Sequence, residues 1–222
     1  MREAMPISGL TAAPVTQRDA VAESNHRIAN NLALLAGMVR MYARTLSRSE
    51  EPLDNDKIGA LFDDIGCRID AIAHLHALLA RGEHDEPVDL AAYLRDVATT
   101  IMSSMSYAGR AELTTLPSSV CAIAPERAVT VGLIVGELVT NALKYAHPAG
   151  VRGLIVVGCK QIGETILIEV TDDGVGMPED FDPRNNGGLG MRLAHSLADQ
   201  VKATLAFNNT GIGLSVTLHI PA

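Results

Sequence analysis

Glu137-Leu138-Val139-Thr140-Asn141-Ala142-Leu143-Lys144-Tyr145-Ala146-His147 is the stretch on which the fold of this chain turns. It lies in a helix expected to start at Pro125, where proline's missing N–H costs nothing, and to run to about residue 146. Glu137, Asn141 and Lys144 are spaced four and three apart, so a carboxylate, an amide and an ammonium share one face amid apolar neighbours. Such a set suits a magnesium-bound triphosphate, which needs oxygen ligands for a hard cation and a cation for the phosphates. An ordinary amphipathic helix carries the same letters, and this helix alone does not separate the two readings.

Working downstream, β-rich runs at 153–161 and 165–171 flank Ile162-Gly163-Glu164 in the manner of a hairpin. Asp172-Asp173-Gly174-Val175-Gly176-Met177-Pro178 follows the second run directly. Alternate glycines let backbone approach a flat ligand, and a buried aspartate at a strand end can accept a hydrogen bond from an exocyclic amine such as that of adenine. Gly187-Gly188-Leu189-Gly190-Met191 then opens a helix to about residue 201, whose free amides and positive dipole end suit a phosphate chain. Taken singly, the first segment is also an ordinary strand-ending turn and the second a plain glycine loop. Between them, residues 178–186 are polar and aperiodic, as a mobile lid over a ligand would be.

Two further strands, 203–208 and 214–220, are joined through Thr210-Gly211-Ile212-Gly213, and upstream a helix at 89–104 precedes strands at 111–116 and 120–123. Strands mixed with and flanked by helices, consecutive ones in hairpins, predict an α+β domain: a mixed or antiparallel sheet covered on one face by helices. There is neither a Walker A motif nor a Rossmann fingerprint.

The N-terminal part has a different texture. Residues 1–15 read as a disordered leader with no sensor domain ahead of His26, and residues 16–50 as one long helix with an apolar stripe at Ile28, Leu32, Leu35, Met38, Val39, Tyr42 and Leu46. A second helix over 57–81 holds a heptad-like seam at Ile58, Leu61, Phe62, Ile65, Ile69, Ile72, Leu75 and Leu79. The pair forms an antiparallel hairpin expected to close a four-helix bundle with a second copy, giving a homodimer; burial of the stripe against the second domain is the alternative. The domains are therefore 16–85 and 86–222, with a hinge over 82–87.

Composition narrows the partners. With 222 residues and 47% hydrophobic content the chain can bury a core, and a formal charge of −8 argues against blanketing nucleic-acid phosphates. The three cysteines, Cys67, Cys121 and Cys159, have no metal-ligand spacing and read as buried thiols of a reducing compartment. No apolar run reaches the roughly eighteen residues of a membrane span and no signal peptide is present, so a cytoplasmic protein without a membrane is expected.

The order of these segments resembles the histidine-kinase catalytic domain of the GHKL ATP-binding class. Residues 137–146 look like the N box, 172–176 the G1 box and 188–190 the G2 box, while Gly211 and Gly213 stand where the last glycine motif would fall. The match covers roughly residues 87–222. Independently, His26-Arg27-Ile28-Ala29-Asn30-Asn31-Leu32, with Arg68-Ile69 and His76-Ala77-Leu78-Leu79 beyond it, resembles the dimerisation and phosphoacceptor module of the HisKA_2 type. The HWE group is disfavoured, because the chain has no Trp.

The resemblance implies roles. His26 would be the phosphoacceptor, attacking the γ-phosphorus of ATP. Asn141 would ligate Mg2+ with Glu137 assisting, Lys144 would meet phosphate, Tyr145 would pack against the base and Asp172 would read the adenine amine. Gly174, Gly176, Gly188, Leu189 and Gly190 would shape the pocket. The phosphoryl group would pass to an aspartate of a response-regulator receiver domain. Two sources of input stay open: a separate sensor protein, or a further part of a longer protein of which this chain is a fragment. Arg27 departs from the acidic residue of the larger HisKA group; it cannot be a base and would steady phosphate charge, leaving the proton to Glu137 or water. Asn30 would orient a water for dephosphorylation, or is an exposed residue without a role. Phe181 is the only candidate for a phenylalanine motif, His74 and His76 read as packing or rim residues, and His147, His195 and His219 have no partner in the sequence. Two alternatives stay open: a histidine phosphotransfer protein of this architecture that has lost ATP, and a regulatory ATP-fold module of the anti-sigma kind.

Overall fold

The computed structural model describes residues 87–103, 109–116, 121–148 and 150–221, together with a discontinuous set of positions between 33 and 73. The leader, His26, Arg27, Asn30 and the hinge over 82–86 lie outside the described residues. So do Leu61, Cys67, Ile72, Leu75 and Leu79. The described positions between 33 and 73 are helical and include seam residues Ile58, Phe62, Ile65 and Ile69.

From residue 88 the elements run β1 (Val88–Asp89), α1 (Leu90–Ser103), β2 (Ala111–Thr115), β3 (Ala122–Ile123), α2 (Pro125–Tyr145), β4 (Gly153–Ile162), β5 (Thr165–Asp172), α3 (Leu189–Gln200), β6 (Thr204–Asn209) and β7 (Leu214–Pro221). The fold is α+β, as the element pattern predicts. Its five-stranded sheet has the order β2-β4-β5-β7-β6, parallel at β2–β4 and antiparallel elsewhere. The parallel pair follows from connectivity: β2 reaches β4 only through α2, a crossover that returns the chain in the same direction.

Alternation fixes which face is covered. Ile166, Ile168 and Val170 of β5 are buried while Leu167, Glu169 and Thr171 between them are half-buried, and Val216, Leu218 and Ile220 of β7 join the buried side. That side meets the apolar faces of the helices, with α2 packed against both α1 and α3. Helix α2 is apolar and long enough to cross a membrane by composition alone, but 67% of its most apolar window is buried inside the domain, which makes it the core helix.

Three details differ from the expectation. The helix expected at 89–104 begins one residue later, because the Asp89 carboxylate accepts the amides of Ala91 (3.1 Å) and Ala92 (3.3 Å) as a helix cap. Val88 and Asp89 instead pair with Ile123 and Ala122 in a two-stranded ribbon, too short to have a period. The strand expected at 120–123 is reduced, among the described residues, to Ala122–Ile123. Cys121 and Cys159, far apart in sequence, are buried neighbours; burial first, and then the adjacent Cys121 thiol, pushes the Cys159 thiol up from its ordinary value.

Candidate functional site

Along the last turns of α2 the side chains pass from core to solvent. Glu137 is 4% exposed, Asn141 and Lys144 are half-buried, and Tyr145 is 67% exposed. The polar face expected from the sequence is therefore graded: a carboxylate beneath the surface, an amide one turn on, then a cation and an open ring. Among the described residues nothing hydrogen-bonds the Asn141 side chain.

The turn after β5 docks on the end of this helix. Val175 donates its N–H to the Ala146 carbonyl at 2.9 Å, and a Cβ at Gly174 would collide with that same carbonyl. Glycine at 174 is thus a requirement of close approach. Asp172, 8% exposed at the end of β5, accepts from Gly174 N–H (3.0 Å) and Leu214 N–H (3.3 Å) through Oδ1. Its other oxygen, Oδ2, makes no hydrogen bond among the described residues and retains its full capacity as an acceptor.

Asp173 faces the other way. Its Oδ1 lies 2.7 Å from both the Leu154 amide and His147 Nε2. Desolvation raises its pKa, but the Leu154 N–H and the His147 ring outweigh that, and the carboxyl sits below the ordinary aspartate value. His147, for which the sequence offers no partner, therefore ties the end of α2 to the turn.

The β6–β7 turn closes the arrangement from the far side. Gly213, at φ +116°, brings its backbone against the Asp172 carbonyl, where a Cβ would overlap. Gly213→Ala is expected to destabilise the domain by about 2 kcal/mol or more, combining left-handed strain with a backbone clash, read as a lowered denaturation midpoint at unchanged m-value. An unaltered midpoint would show that the turn relaxes freely.

Residues 178–186, expected to be an aperiodic lid, are two successive turns. Phe181 N–H reaches the Pro178 carbonyl at 3.1 Å, and Asp182 Oδ1 accepts the amides of Arg184 (2.9 Å) and Asn185 (3.3 Å). Asn185 Nδ2 donates to Asp182 Oδ2 at 2.6 Å; that bond, then the Arg184 amide, holds the Asp182 carboxyl below its ordinary range. Phe181 is half-buried. Gly188 follows as the extended N-cap of α3 (φ −61°, ψ −176°), without a side-chain cap, and a Cβ there would meet open space. The first amides of α3 are available as donors. Gly190 lies in the first turn of α3, directly after Leu189.

The structure thus joins the end of α2, the 172–177 turn and the β6–β7 turn, and α3 packs along α2. Two contacts gave no signal in the sequence: His147 with Asp173, 26 residues apart, and Asn209 with Met177, 32 apart. His195, whose ring lies 5.9 Å from that of Phe207, is pushed below its ordinary value by burial and by Arg184.

Residues 91–219 match the family described as histidine kinase-like ATPase domain, and residues 23–105 match the family described as histidine kinase, of the HisKA_2 type. The chain is similar to Blue-light-activated histidine kinase 2 of Erythrobacter litoralis, with 30% identity over 206 residues that cover 90% of this chain and 56% of that one. It is also similar to Sensor histidine kinase PdtaS of Mycobacterium tuberculosis, with 25% identity over 224 residues, 100% of this chain and 43% of the relative. The chain spans about half the length of these curated relatives. Among solved structures, the Erythrobacter litoralis EL346 blue-light activated histidine kinase superposes with a TM-score of 0.69 at 26% identity, covering 95% of this chain and 62% of the other.

Proposed function

The chain belongs to the histidine kinase family, and from that premise we propose that it is a protein-histidine kinase core that phosphorylates its own His26 from magnesium ATP and passes the phosphoryl group to an aspartate of a response-regulator receiver domain. The observation that carries the ATP reading is Asp172: a nearly buried carboxylate with one oxygen fixed by two backbone amides and the other left to accept a donor. An exocyclic amine such as that of adenine fits this oxygen, and the glycine turn beside it admits a flat base.

The half-buried amide of Asn141 fits a hard cation, with Glu137 beneath it as a direct or water-mediated partner and Lys144 reaching phosphate oxygens. Among the described residues no cluster of three or more His, Cys, Asp or Glu side chains is built to hold a metal. Magnesium, when bound, would neutralise charge on the phosphates of the nucleotide. Tyr145 would lie against the base, and the uncapped amides at Gly188, Leu189 and Gly190 would meet the phosphate chain. His26, as neutral imidazole, forms the N–P bond as the bond between the γ-phosphorus and the β,γ-bridging oxygen breaks; its proton leaves to Glu137 or water, and Arg27 steadies the charge. Asn30, four residues beyond His26, would orient a water that hydrolyses the phosphoryl group from a phosphorylated partner.

We place the boundary between the phosphoacceptor hairpin and the catalytic domain near residue 85, with the swing between them over 82–87. Phe62 and Ile69, 67% and 41% exposed, support a seam that needs a second copy. Phe62→Glu is expected to convert a dimer to monomers in light scattering, because an ionised carboxylate in an apolar seam is strongly disfavoured. A variant that stays dimeric would move the interface elsewhere. A cytoplasmic location completes the proposal.

The test is the chemistry of the label. After incubation with γ-labelled ATP and magnesium, label on the chain should be acid-labile and base-stable, as a phosphoramidate is. Absence of ATP binding would favour a phosphotransfer protein that has lost ATP. Label of opposite lability on a partner's serine would favour a regulatory module of the anti-sigma kind.

A further inference from the structure

We propose that Asn209 is a positioning residue for the nucleotide, fixing the turn after β5 by gripping the Met177 backbone with both ends of its side-chain amide. The proposal rests on the reading of that turn as the part of an ATP site that faces the base. Met177 N–H donates to Asn209 Oδ1 at 2.8 Å, and Asn209 Nδ2 donates to the Met177 carbonyl at 2.7 Å. The side chain thereby imitates one rung of an antiparallel sheet, and it does so for a loop that belongs to none.

Asparagine suits the position. Aspartate has no donor for the Met177 carbonyl, and serine cannot present an acceptor and a donor at this separation. The neighbouring Gly176, at φ +71°, would bring a Cβ within 2.9 Å of Asn209 Oδ1, so the amide occupies the volume that a side chain at 176 would need. Gly176 is thus explained by Asn209 as much as by any ligand.

The wider geometry gives the grip its meaning. Asn209 is the last residue of β6 and pairs in register with Leu214, the first of β7. Leu214 donates its N–H to Asp172 Oδ1. Both ends of the 172–177 turn are therefore held by the same hairpin, Asp172 through Leu214 and Met177 through Asn209, while Val175 is held by Ala146. A turn pinned at three points presents Asp172 Oδ2 and the glycine backbone in one arrangement before the nucleotide arrives. Asn209 is itself exposed, so removing its amide releases the turn without opening the core.

Releasing the turn lowers the fraction of molecules with a competent site, which weakens apparent affinity while leaving the step after binding unchanged. The experiment uses the full chain as parent, Asn209→Ala, Asn209→Asp and, as a neighbour control, Asn208→Ala. Calorimetric titration with magnesium ATP should show about tenfold weaker binding for Asn209→Ala. Asn209→Asp should fail to rescue it, since its second oxygen opposes the Met177 carbonyl, and Asn208→Ala should match the parent. Labelling at saturating ATP should stay within about twofold of the parent. Amide exchange without nucleotide should quicken at 174–177 and stay unchanged in the strands of the sheet.

Unchanged affinity in Asn209→Ala beside a binding parent overturns this proposal alone. Faster exchange throughout β5 and β7, or full rescue by Asn209→Asp, overturns it in favour of a general structural role. A parent that binds no ATP overturns the ATP reading and this proposal with it.

Discussion

His26→Ala is expected to take up no label from γ-labelled magnesium ATP, a loss of at least about a hundredfold, while binding ATP within about twofold of the parent. The two halves of this result come from two parts of the chain. The residues proposed to hold the nucleotide lie from Glu137 onward, on a domain whose core β4, β5, β7 and the three helices build, so a change at position 26 is expected to leave them intact. The phosphoryl acceptor is a single imidazole nitrogen, and alanine offers no nucleophile in its place. Label persisting at the parent's level would remove His26 from the mechanism and direct attention to His74 or His76. Mixing His26→Ala with a variant unable to bind ATP would further separate transfer within a protomer from transfer across a dimer.

Asp172→Asn is the second large effect, and here geometry fixes the sign. Oδ1 of Asp172 accepts from both the Gly174 and Leu214 amides. An asparagine at 172 keeps those bonds only by turning its carbonyl oxygen toward them, which leaves its NH2 where Oδ2 had been. A donor then faces the amine of adenine, itself a donor. We expect ATP affinity to fall about a hundredfold, or ~2.7 kcal/mol, with the unfolding midpoint nearly unchanged. The same reversal should improve the relative binding of inosine triphosphate, whose base carries a carbonyl oxygen at that position. Equal loss for both nucleotides would mean that Asp172 acts on the shape of the turn and does not read the base.

Local chemistry made much of this fold legible. The β4–β5 hairpin, expected at 153–161 and 165–171, is observed at Gly153–Ile162 and Thr165–Asp172, because alternation and a two-residue turn act over neighbouring residues. Pro125 opens α2 as expected. The order of the polar and glycine segments carried the resemblance to the family. What escaped the sequence is set at long range: the β1–β3 ribbon has too few residues for a period, and the pairing of Asn209 with Met177 exists only because β6 returns beside β7. The turns at 178–186 were hidden for another reason. Asp182 organises the second of them through its side chain, and hydropathy does not register that kind of order.

The position of β7 bears on how such a chain is made. It lies inside the sheet, between β5 and β6, although it is synthesised after the other four strands of that sheet. Until residues 214–221 clear the ribosome, β5 lacks its second neighbour and β6 lacks any, so the nascent domain exposes apolar strand edges. The Leu214 amide that steadies Asp172 is missing over the same interval. Translation halted before β7 would therefore release a chain with an open sheet and an unset turn. Exposed edges of that kind are what chaperones bind, so such a product is expected to be retained by them.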